Sequence, residues 1–253
     1  MTKPTKKIIA IGGGEIGRPG HATETTEIDK EIIRLTEKKN PKVLFLPTAS
    51  GDSQLYCFTV FDHFGTRLGC ECDYLLLSRR KYSQVELEDK ILSSDIIYVG
   101  GGNTQKMLKT WKKTGLDKIL KKAYEKGIVL SGLSAGAICW FAHGNSDSKK
   151  MINPEAPLIK ISGLGYVKAL FCPHYDHEEY RKPELKEMMK KTSGVAIAID
   201  NCAAIEIIDD KYRIISSKSE ANAYKVYWSK GKFYHETIPK RKEYSSIDNL
   251  IKR

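Results

Sequence analysis

Ser134 lies in a run whose residue types and spacing could support nucleophilic catalysis. The run Gly132-Leu133-Ser134-Ala135-Gly136 follows the apolar stretch 127–130 and precedes the apolar stretch 138–142. This order predicts a strand, a sharp turn and a helix, because the glycines leave room for a strained bend and the helix start offers free N–H groups. A small-residue turn can also serve only to bring a helix close to a strand. The chemistry therefore requires a base, an orienting acid and an oxyanion hole elsewhere in the chain.

His174 is the histidine that we expect to act as the base. It follows the predicted strand 169–172, so its side chain should project from a strand end into the same cleft. His177 lies beside Asp176, Glu178 and Glu179, but their spacing is not that of a recognised metal site, and no metal is predicted. The remaining histidines are expected to be surface or packing residues: His21, His63, His143 and His235.

Asp200 is the carboxylate that we expect to orient His174. It ends the predicted strand 195–199 and gives the chain order Ser, His, Asp. A carboxylate in this role holds one tautomer of the base and stabilises its imidazolium form. The order differs from the Ser, Asp, His order of α/β-hydrolases and so argues against that esterase class. Taken alone, an aspartate at a strand end is also an ordinary turn residue.

A glycine cluster between the predicted strand 96–99 and a predicted helix is the candidate oxyanion hole. The cluster reads Gly100-Gly101-Gly102-Asn103-Thr104. Glycine lets backbone N–H groups turn toward a ligand, and Asn103 suits a helix N-cap. An N–H of Gly101 or Gly102 could converge with that of Ala135 on an oxyanion near Ser134. A tight strand-to-helix turn without a ligand is the plain alternative.

An earlier glycine run, Gly12-Gly13-Gly14-Glu15-Ile16-Gly17, matches the spacing of the dinucleotide-binding fingerprint. A working fingerprint opens directly into a helix and has an acidic residue at the end of the second strand. Here Pro19 interrupts the helix start, and the second predicted strand ends in Pro47. We therefore expect no nicotinamide, flavin or other cofactor, and we expect these glycines to shape the floor of a cleft.

The elements that must position these residues alternate along the chain. Strand and helix taking turns predict a parallel sheet covered on both faces, whereas the closely spaced late strands predict antiparallel additions at an edge. The predicted strands are 7–11, 43–46, 74–77, 96–99, 128–130, 169–172, 195–199, 204–208, 212–215 and 223–228, and the predicted helices are 23–39, 52–68, 84–92 and 104–126, the last broken at Gly115.

Composition limits the class of protein. The chain has 253 residues with 41% apolar content and no low-complexity linker, so we expect one domain, residues 1–253. The net charge of +11 is spread over predicted helix faces without interleaved aromatic residues, which indicates attraction to anionic substrates and not nucleic-acid binding. No apolar run is long enough to cross a membrane, and the first residues, 1–4, lack a secretion signal. We expect a cytoplasmic monomer or homodimer that takes a small peptide substrate.

Cysteine usage agrees with a reducing compartment. The spacings show neither a zinc or redox motif nor a disulfide framework. Buried free cysteine behaves as a small hydrophobe, so a thiol nucleophile is the less favoured alternative. The six residues concerned are Cys57, Cys70, Cys72, Cys139, Cys172 and Cys202.

Together, the segments 99–104 and 132–137, the Pro173-His174 pair and Asp200 resemble, in order and spacing, the aspartyl dipeptidase family, peptidase family S51, which includes peptidase E and has the cyanophycinases as relatives. The resemblance extends from the first strand to about residue 204. It implies a flavodoxin-like three-layer α/β sandwich similar to class I glutamine amidotransferases, with serine replacing cysteine at the elbow. It also implies cofactor-free hydrolysis of peptides that begin with aspartate.

By this resemblance, Ser134 matches the family nucleophile, His174 its base, and the Gly102 loop with Ala135 its oxyanion hole. Asp200 falls where the best-known dipeptidase has glutamate, and either carboxylate can orient a histidine. An aspartyl substrate needs a cation, and Arg181 is the nearest candidate after the histidine. Further candidates for the substrate pocket are Asn103, Ser146, Asp147 and Ser148. A cyanophycinase-like amide hydrolase and a non-catalytic ligand-binding protein remain alternatives on the same scaffold.

Overall fold

A computed structural model describes residues 4–253 of the chain. Residues 1–3, part of the segment inspected for a secretion signal, lie outside the described range. The strands are β1 Lys7–Ile11, β2 Lys42–Leu46, β3 Glu71–Tyr74, β4 Ile96–Val99, β5 Val129–Leu133, β6 Phe141–Ser146, β7 Ile159–Ser162, β8 Val167–Cys172, β9 Ala196–Ile199, β10 Ala203–Ile208, β11 Lys211–Ser216, β12 Ala223–Ser229, β13 Lys232–Thr237 and β14 Ser245–Ser246.

Helices fill most of the connections between the early strands. The α-helices are α1 Thr26–Arg34, α2 Gln54–Val60, α3 Gln84–Leu92, α4 Thr104–Thr114, α5 Leu116–Glu125, α6 Ala135–Ile138, α7 Arg181–Lys190 and α8 Ile247–Ile251. A 3-10 turn covers Thr48–Ser50, and a π-helical turn, Phe61–Arg67, continues α2. Gly115 separates α4 from α5 with a φ of 74°, as the sequence predicted. Within residues 4–253 no helix combines the length and the apolar character needed to span a membrane.

An eight-stranded sheet forms the centre of the fold, in the order β14-β11-β10-β1-β5-β4-β2-β3. Within the run β1-β5-β4-β2-β3, each pair of adjacent strands is parallel. The strands β10, β11 and β14 add an antiparallel edge. This arrangement confirms the predicted mostly parallel sheet with antiparallel additions from the carboxyl-terminal part of the chain.

The two faces of this sheet carry separate hydrophobic clusters. Successive side chains of a strand point to opposite faces, so Ile9 packs with α1 and α2 while Ile8 packs with α3 to α5. The same alternation divides β4, where Tyr98 joins the first cluster and Ile97 the second. Helices therefore cover the parallel sheet on both sides, which gives the three layers expected of a flavodoxin-like fold.

A second sheet of six strands, in the order β13-β12-β9-β8-β6-β7, was not predicted. The helix after Ser134 is only four residues long, and strand β6 begins at Phe141, inside the stretch that the sequence suggested as helix. Strands β6, β8 and β9 are parallel. One hydrophobic cluster contains residues of both sheets, among them Val99 and Phe171. The turn at Ser134 thus leads the chain from the first sheet to the second.

Candidate active site

Ser134 forms the turn between β5 and α6 in a backbone conformation that few non-glycine residues adopt. Its φ is 56° and its ψ is −110°. The N–H of Ser134 donates a hydrogen bond to the carbonyl oxygen of Ile11 at 3.1 Å, which ties the turn to β1. A conformation of this kind costs about 1–3 kcal/mol and persists only where the surrounding structure enforces it. The turn therefore has the strained geometry of a nucleophile elbow.

The glycines on either side of Ser134 are required by close packing. A Cβ on Gly132 would lie 2.5 Å from the carbonyl oxygen of Gly136, and one on Gly136 would lie 2.1 Å from the carbonyl oxygen of Val99. A larger residue at either position would push α6 away from β4. Both glycines of the Gly-x-Ser-x-Gly motif are therefore needed because the turn packs tightly against the neighbouring strand β4.

His174 lies within hydrogen-bonding distance of Ser134. Its Nε2 atom is 2.9 Å from the Ser134 Oγ atom. His174 follows β8 with a φ of 52°, and its N–H donates to the carbonyl oxygen of Gly12 at 3.1 Å. The structure thus brings together the nucleophile and base that the sequence suggested, although they are 40 residues apart in the chain.

Asn201 contacts the other ring nitrogen of His174. Its Oδ1 atom is 2.7 Å from the His174 Nδ1 atom. An amide oxygen only accepts hydrogen bonds, so Nδ1 carries the proton and donates it to Asn201. The Nε2 lone pair then faces the hydroxyl of Ser134, as a general base requires. The sequence did not indicate Asn201, because a carboxylate is the residue type expected in this role.

Asp200, the predicted orienting residue, makes its contacts elsewhere. Its Oδ2 atom accepts hydrogen bonds from the Asn222 N–H at 2.9 Å and the Tyr224 hydroxyl at 3.4 Å. Its Oδ1 atom is buried without a hydrogen-bond partner among residues 4–253. Side chains alternate in direction at the end of an extended strand, so Asp200 turns toward β12 and Asn201 turns toward His174. The predicted contact between Asp200 and His174 is therefore absent, and the next residue, Asn201, contacts His174 instead.

The glycine run at residues 12–17 packs against the His174–Asn201 pair. A Cβ on Gly13 would lie 2.0 Å from the Asn201 Oδ1 atom and 2.3 Å from the His174 Nδ1 atom. The Gly13 carbonyl oxygen accepts the N–H of Cys202 at 2.9 Å, which fixes the loop that carries Asn201. The run that resembled a dinucleotide fingerprint thus forms the floor of the site, as the sequence suggested.

The surroundings of His174 keep its imidazole neutral. Burial is the main cause that lowers its pKa, and the positive charge of Arg181 lowers it further. The hydrogen bond to Asn201 and the carboxylates of Glu178 and Asp147 oppose this shift without reversing it. A neutral imidazole can accept a proton, so His174 is in the form that a general base needs near neutral pH.

The glycine cluster at residues 100–102 lies against Ser134. A Cβ on Gly101 would lie 3.6 Å from the Ser134 Cβ atom. The N–H of Gly101 donates to the Tyr56 hydroxyl oxygen at 3.2 Å, so it is engaged. The N–H groups of Gly102 and Ala135 have no acceptor within the described residues. Of the three residues expected to form an oxyanion hole, Gly102 and Ala135 thus retain free donors.

Two of the predicted substrate-binding residues are engaged inside the protein. Asn103 caps α4, because its Oδ1 atom accepts the Lys106 N–H at 2.9 Å while its Nδ2 atom donates to the Ser148 carbonyl oxygen at 3.1 Å. Arg181 is buried, and its Nη1 atom donates to the Asn145 carbonyl oxygen at 3.0 Å.

The remaining pocket candidates contact Arg181 or each other. Asp147 is partly exposed, and its Oδ2 atom lies 3.8 Å from the Arg181 Nη2 atom. The hydroxyl oxygens of Ser146 and Ser148 are 2.8 Å apart and buried. Arg181 and Asp147 therefore act on His174 through their charges, and neither Asn103 nor Arg181 is placed to grip a substrate.

Two buried cysteines, Cys172 and Cys139, are poor nucleophiles. Burial raises the pKa of Cys172 to about 12 and that of Cys139 well above its usual range. Both groups therefore stay protonated near neutral pH, and a protonated thiol is a weak nucleophile. The Sγ atom of Cys139 also donates to the Gly136 carbonyl oxygen at 3.1 Å. Ser134, by contrast, has the imidazole of His174 within hydrogen-bonding distance of its hydroxyl.

Comparisons with known proteins find relatives that are named as peptidases. The chain is 38% identical over 236 residues to a Bacillus subtilis (strain 168) protein named "Uncharacterized peptidase YgaJ", covering 92% of this chain and 97% of that protein. A crystal structure of a peptidase from an acI-B1 Actinobacterium matches with a TM-score of 0.71 at 20% identity, over 95% of this chain and 96% of that one. A putative peptidase E protein from Listeria monocytogenes EGD-e matches with a TM-score of 0.63 at 22% identity, over 84% and 98%.

The two solved structures share the fold with this chain. The family comparison identifies the family as well as the fold. The sequence model described as "Peptidase family S51" matches residues 8–215, a range that includes Ser134, His174 and Asn201. This match confirms the resemblance seen in the sequence, and the chain belongs to peptidase family S51.

Proposed function

We propose that this protein is a serine exopeptidase that hydrolyses dipeptides or short peptides with an N-terminal aspartate. Membership in a peptidase family gives hydrolysis as the class of reaction. The observation that carries the serine mechanism is the 2.9 Å separation of the Ser134 Oγ and His174 Nε2 atoms, with Nδ1 of the same ring held by Asn201. The preference for aspartate rests on the resemblance to the aspartyl dipeptidases and on the net charge of +11, which favours anionic substrates.

The reaction proceeds in two halves. Neutral His174 takes the hydroxyl proton of Ser134 onto Nε2 while Oγ attacks the carbonyl carbon of the scissile bond. The N–H groups of Gly102 and Ala135 stabilise the negative oxygen of the tetrahedral intermediate. His174 then gives its proton to the leaving amine, the C–N bond breaks, and an ester on Ser134 remains. His174 then deprotonates a water molecule that attacks the ester carbonyl; the bond to the Ser134 Oγ atom breaks, His174 returns the proton to Oγ, and the free acid leaves.

Asn201 orients His174 in this scheme but carries no charge. An amide fixes the tautomer and the ring plane, as the asparagine of papain-like Cys-His-Asn proteases does. It does not stabilise the imidazolium by charge, which a carboxylate would do. The proposed catalytic set is thus Ser134, His174 and Asn201, in place of the Ser-His-Asp triad that the sequence suggested.

A panel of peptides tests the activity. We expect Asp-Leu to be cleaved with a higher kcat/KM than Asn-Leu, Glu-Leu or Leu-Leu. Ser134→Ala should fold normally and lose turnover by more than about 10⁴-fold, since removing a serine nucleophile has effects of this size. Ser93→Ala, at a serine whose hydroxyl contacts only the Lys90 carbonyl oxygen, is the matched control and should retain activity.

Other outcomes of the panel would point to other functions. Cleavage of β-linked Asp-Arg in preference to Asp-Leu would indicate a cyanophycinase-like amide hydrolase. Retained hydrolysis by pure Ser134→Ala would refute the serine mechanism. Absence of turnover on every peptide, with no reaction of Ser134 toward a fluorophosphonate, would favour a non-catalytic ligand-binding protein.

A further inference from the structure

Two cavities meet beside the catalytic pair and share one wall. The first, of 380 Å³, includes Leu133, which directly precedes the nucleophile, and Tyr56. The second, of 620 Å³, includes His174 and Asn201. Both are lined by Gly14, Glu15 and Arg18. Leu133 adjoins Ser134 and His174 contacts it, so a peptide whose scissile bond lies at Ser134 would pass beside these cavities, and Arg18 lines each of them.

Arg18 is the one arginine or lysine of residues 4–253 that lines either cavity. Its side chain is 60% exposed. By contrast, the side chain of Arg181, the cation favoured by the sequence, is 1% exposed and faces protein groups. A carboxylate that enters the first cavity, whose one lining carboxylate is the Glu15 that pairs with Arg18, therefore meets the guanidinium of Arg18.

The guanidinium of Arg18 is held in place by Glu15. The Nε and Nη2 atoms of Arg18 lie 2.7 Å and 2.6 Å from the Glu15 Oε2 atom. The Glu15 Oε1 atom in turn accepts the N–H groups of Gly17 and Arg18 at 3.0 Å and 2.9 Å. Because the glutamate is fixed by the backbone, the arginine side chain loses little further conformational freedom when it binds a ligand.

The opposite edge of the same guanidinium remains available. An arginine has five N–H donors in a rigid fork, and Glu15 occupies only the edge formed by Nε and Nη2. The Nη1 atom has no hydrogen-bond acceptor within residues 4–253. The edge formed by Nη1 and the second N–H of Nη2 matches the spacing of a carboxylate, which it can bind through two parallel hydrogen bonds.

We propose that Arg18, positioned by Glu15, binds a carboxylate of the peptide substrate and makes the enzyme selective for anionic peptides. This inference rests on the proposed peptidase function only in that the ligand is a short peptide held at Ser134. The carboxylate belongs either to the aspartyl side chain or to the carboxyl terminus of the peptide. Both present the same chemistry to Arg18.

Binding measured without turnover tests this role. In the Ser134→Ala background, we expect Arg18→Gln to raise the Kd for Asp-Leu by about 10- to 100-fold in isothermal titration calorimetry, as expected for lost hydrogen bonds to a charged group. Arg80→Gln is the matched control, because Arg80 is 62% exposed, pairs with Glu86 at 3.0 Å and lines neither cavity. It should leave the Kd unchanged.

Two further ligands identify the carboxylate. Asn-Leu lacks the side-chain carboxylate, and the amide of Asp-Leu lacks the carboxyl-terminal one. The effect of Arg18→Gln should disappear for the ligand that lacks the carboxylate bound by Arg18 and persist for the other. An equal loss for all three peptides, no loss for any, or no binding of Asp-Leu by Ser134→Ala would each overturn the proposal.

Turnover by the wild-type protein tests the proposed catalysis independently of the binding measurements. If the wild-type protein cleaves none of these peptides while Ser134→Ala binds Asp-Leu in an Arg18-dependent manner, the peptidase proposal fails and the carboxylate site stands. If the wild type cleaves Asp-Leu and Arg18→Gln does so with unchanged KM, the peptidase proposal stands and the carboxylate site at Arg18 fails.

Discussion

At the level of single residues, the uncharged partner of His174 determines how the proposed base behaves. The Oδ1 atom of Asn201 fixes the Nδ1–H tautomer, and burial together with Arg181 lowers the pKa of the ring. A base of low pKa is unprotonated at neutral pH, but its imidazolium form lacks the charge stabilisation that a neighbouring carboxylate would give. The site therefore favours availability of the base over stabilisation of the imidazolium.

Substitutions at two adjacent positions separate the roles of Asn201 and Asp200. Asn201→Ala should lower kcat on the order of 10²-fold, because His174 loses the contact that fixes its tautomer and orientation. Asp200→Asn should keep a kcat close to that of the wild type. Burial raises the pKa of Asp200, so a neutral amide of the same shape suits its place beside Asn222. Steady-state kinetics on Asp-Leu check both, and the opposite pattern would restore Asp200 as the orienting residue.

The pH dependence of kcat/KM follows from the lowered pKa of His174. Only the neutral ring acts as base, so activity should be present above the pKa of the free enzyme and lost as the pH falls through it. We expect this acid limb below about 6.5, the ordinary value for histidine. Asn201→Asp should move the limb to higher pH, because a carboxylate beside Nδ1 favours the charged ring. A limb that stays unmoved in Asn201→Asp, with Asp200→Asn as control, would contradict the assignment.

At the level of elements, the loop after β1 determines the geometry of the base. A Cβ on Gly13 would overlap the Asn201 Oδ1 and His174 Nδ1 atoms, so Gly13→Ala must displace this pair. We expect kcat to fall on the order of 10²-fold, since a displacement of about 1 Å is enough for a loss of this size. Circular dichroism should remain that of the wild type.

Gly65→Ala is the matched control for this loop variant. An added Cβ there would lie no closer than 3.5 Å to its neighbours, so activity should persist. Full activity in Gly13→Ala would show that the loop does not constrain His174.

Arg181 joins α7 to β6 and to the loop before it. Its Nη1 atom bonds with the carbonyl oxygen of Asn145, and its Nε atom lies 2.6 Å from the Glu178 Oε2 atom. Arg181→Met should lower the free energy of unfolding by about 3 kcal/mol, because it leaves the buried carbonyl of Asn145 and the partly buried carboxylate of Glu178 without their partner. Urea denaturation measures this effect.

The exposed Arg80→Gln serves as the reference for Arg181 and should change stability by less than about 0.5 kcal/mol. An Arg181→Met protein as stable as the wild type, with only a raised KM for Asp-Leu, would support the substrate-binding role that the sequence suggested.

At the level of the whole molecule, the site lies where the two sheets meet. Ser134 leaves the first sheet at the end of β5, and His174 and Asn201 follow β8 and β9 of the second. The first sheet also supplies Gly13 after β1 and Gly102 after β4. The site therefore requires the two sheets to be packed in one relative position, and the hydrophobic cluster that spans them holds that position.

The strand ends could be predicted from the sequence, because each central strand is an apolar run that stops at glycine, proline or a polar residue. That pattern placed Ser134 and His174 correctly at strand ends. The second sheet could not be predicted in this way, since the pattern of one strand does not specify its neighbours.

The incorrect predictions for single residues have causes in the local structure. The choice of Asp200 over Asn201 followed from a preference for charge, whereas the alternation of side chains at the end of β9 decides which residue faces His174. Burial of Arg181 depends on how α7 packs against β6, which its sequence position does not reveal. The sequence did not indicate Arg18, because the cavities that it lines are formed by segments far apart in the chain.

Covalent labelling of Ser134 tests the central claim most directly. A fluorophosphonate reacts with a serine only where a neighbouring base activates it, so its phosphonyl group should appear on the peptide that contains Ser134. Mass spectrometry of the digested protein locates the modification. We predict stoichiometric labelling at Ser134 in the wild type, with strong reduction in His174→Ala. A wild-type protein that hydrolyses Asp-Leu while Ser134 stays unlabelled would contradict the account.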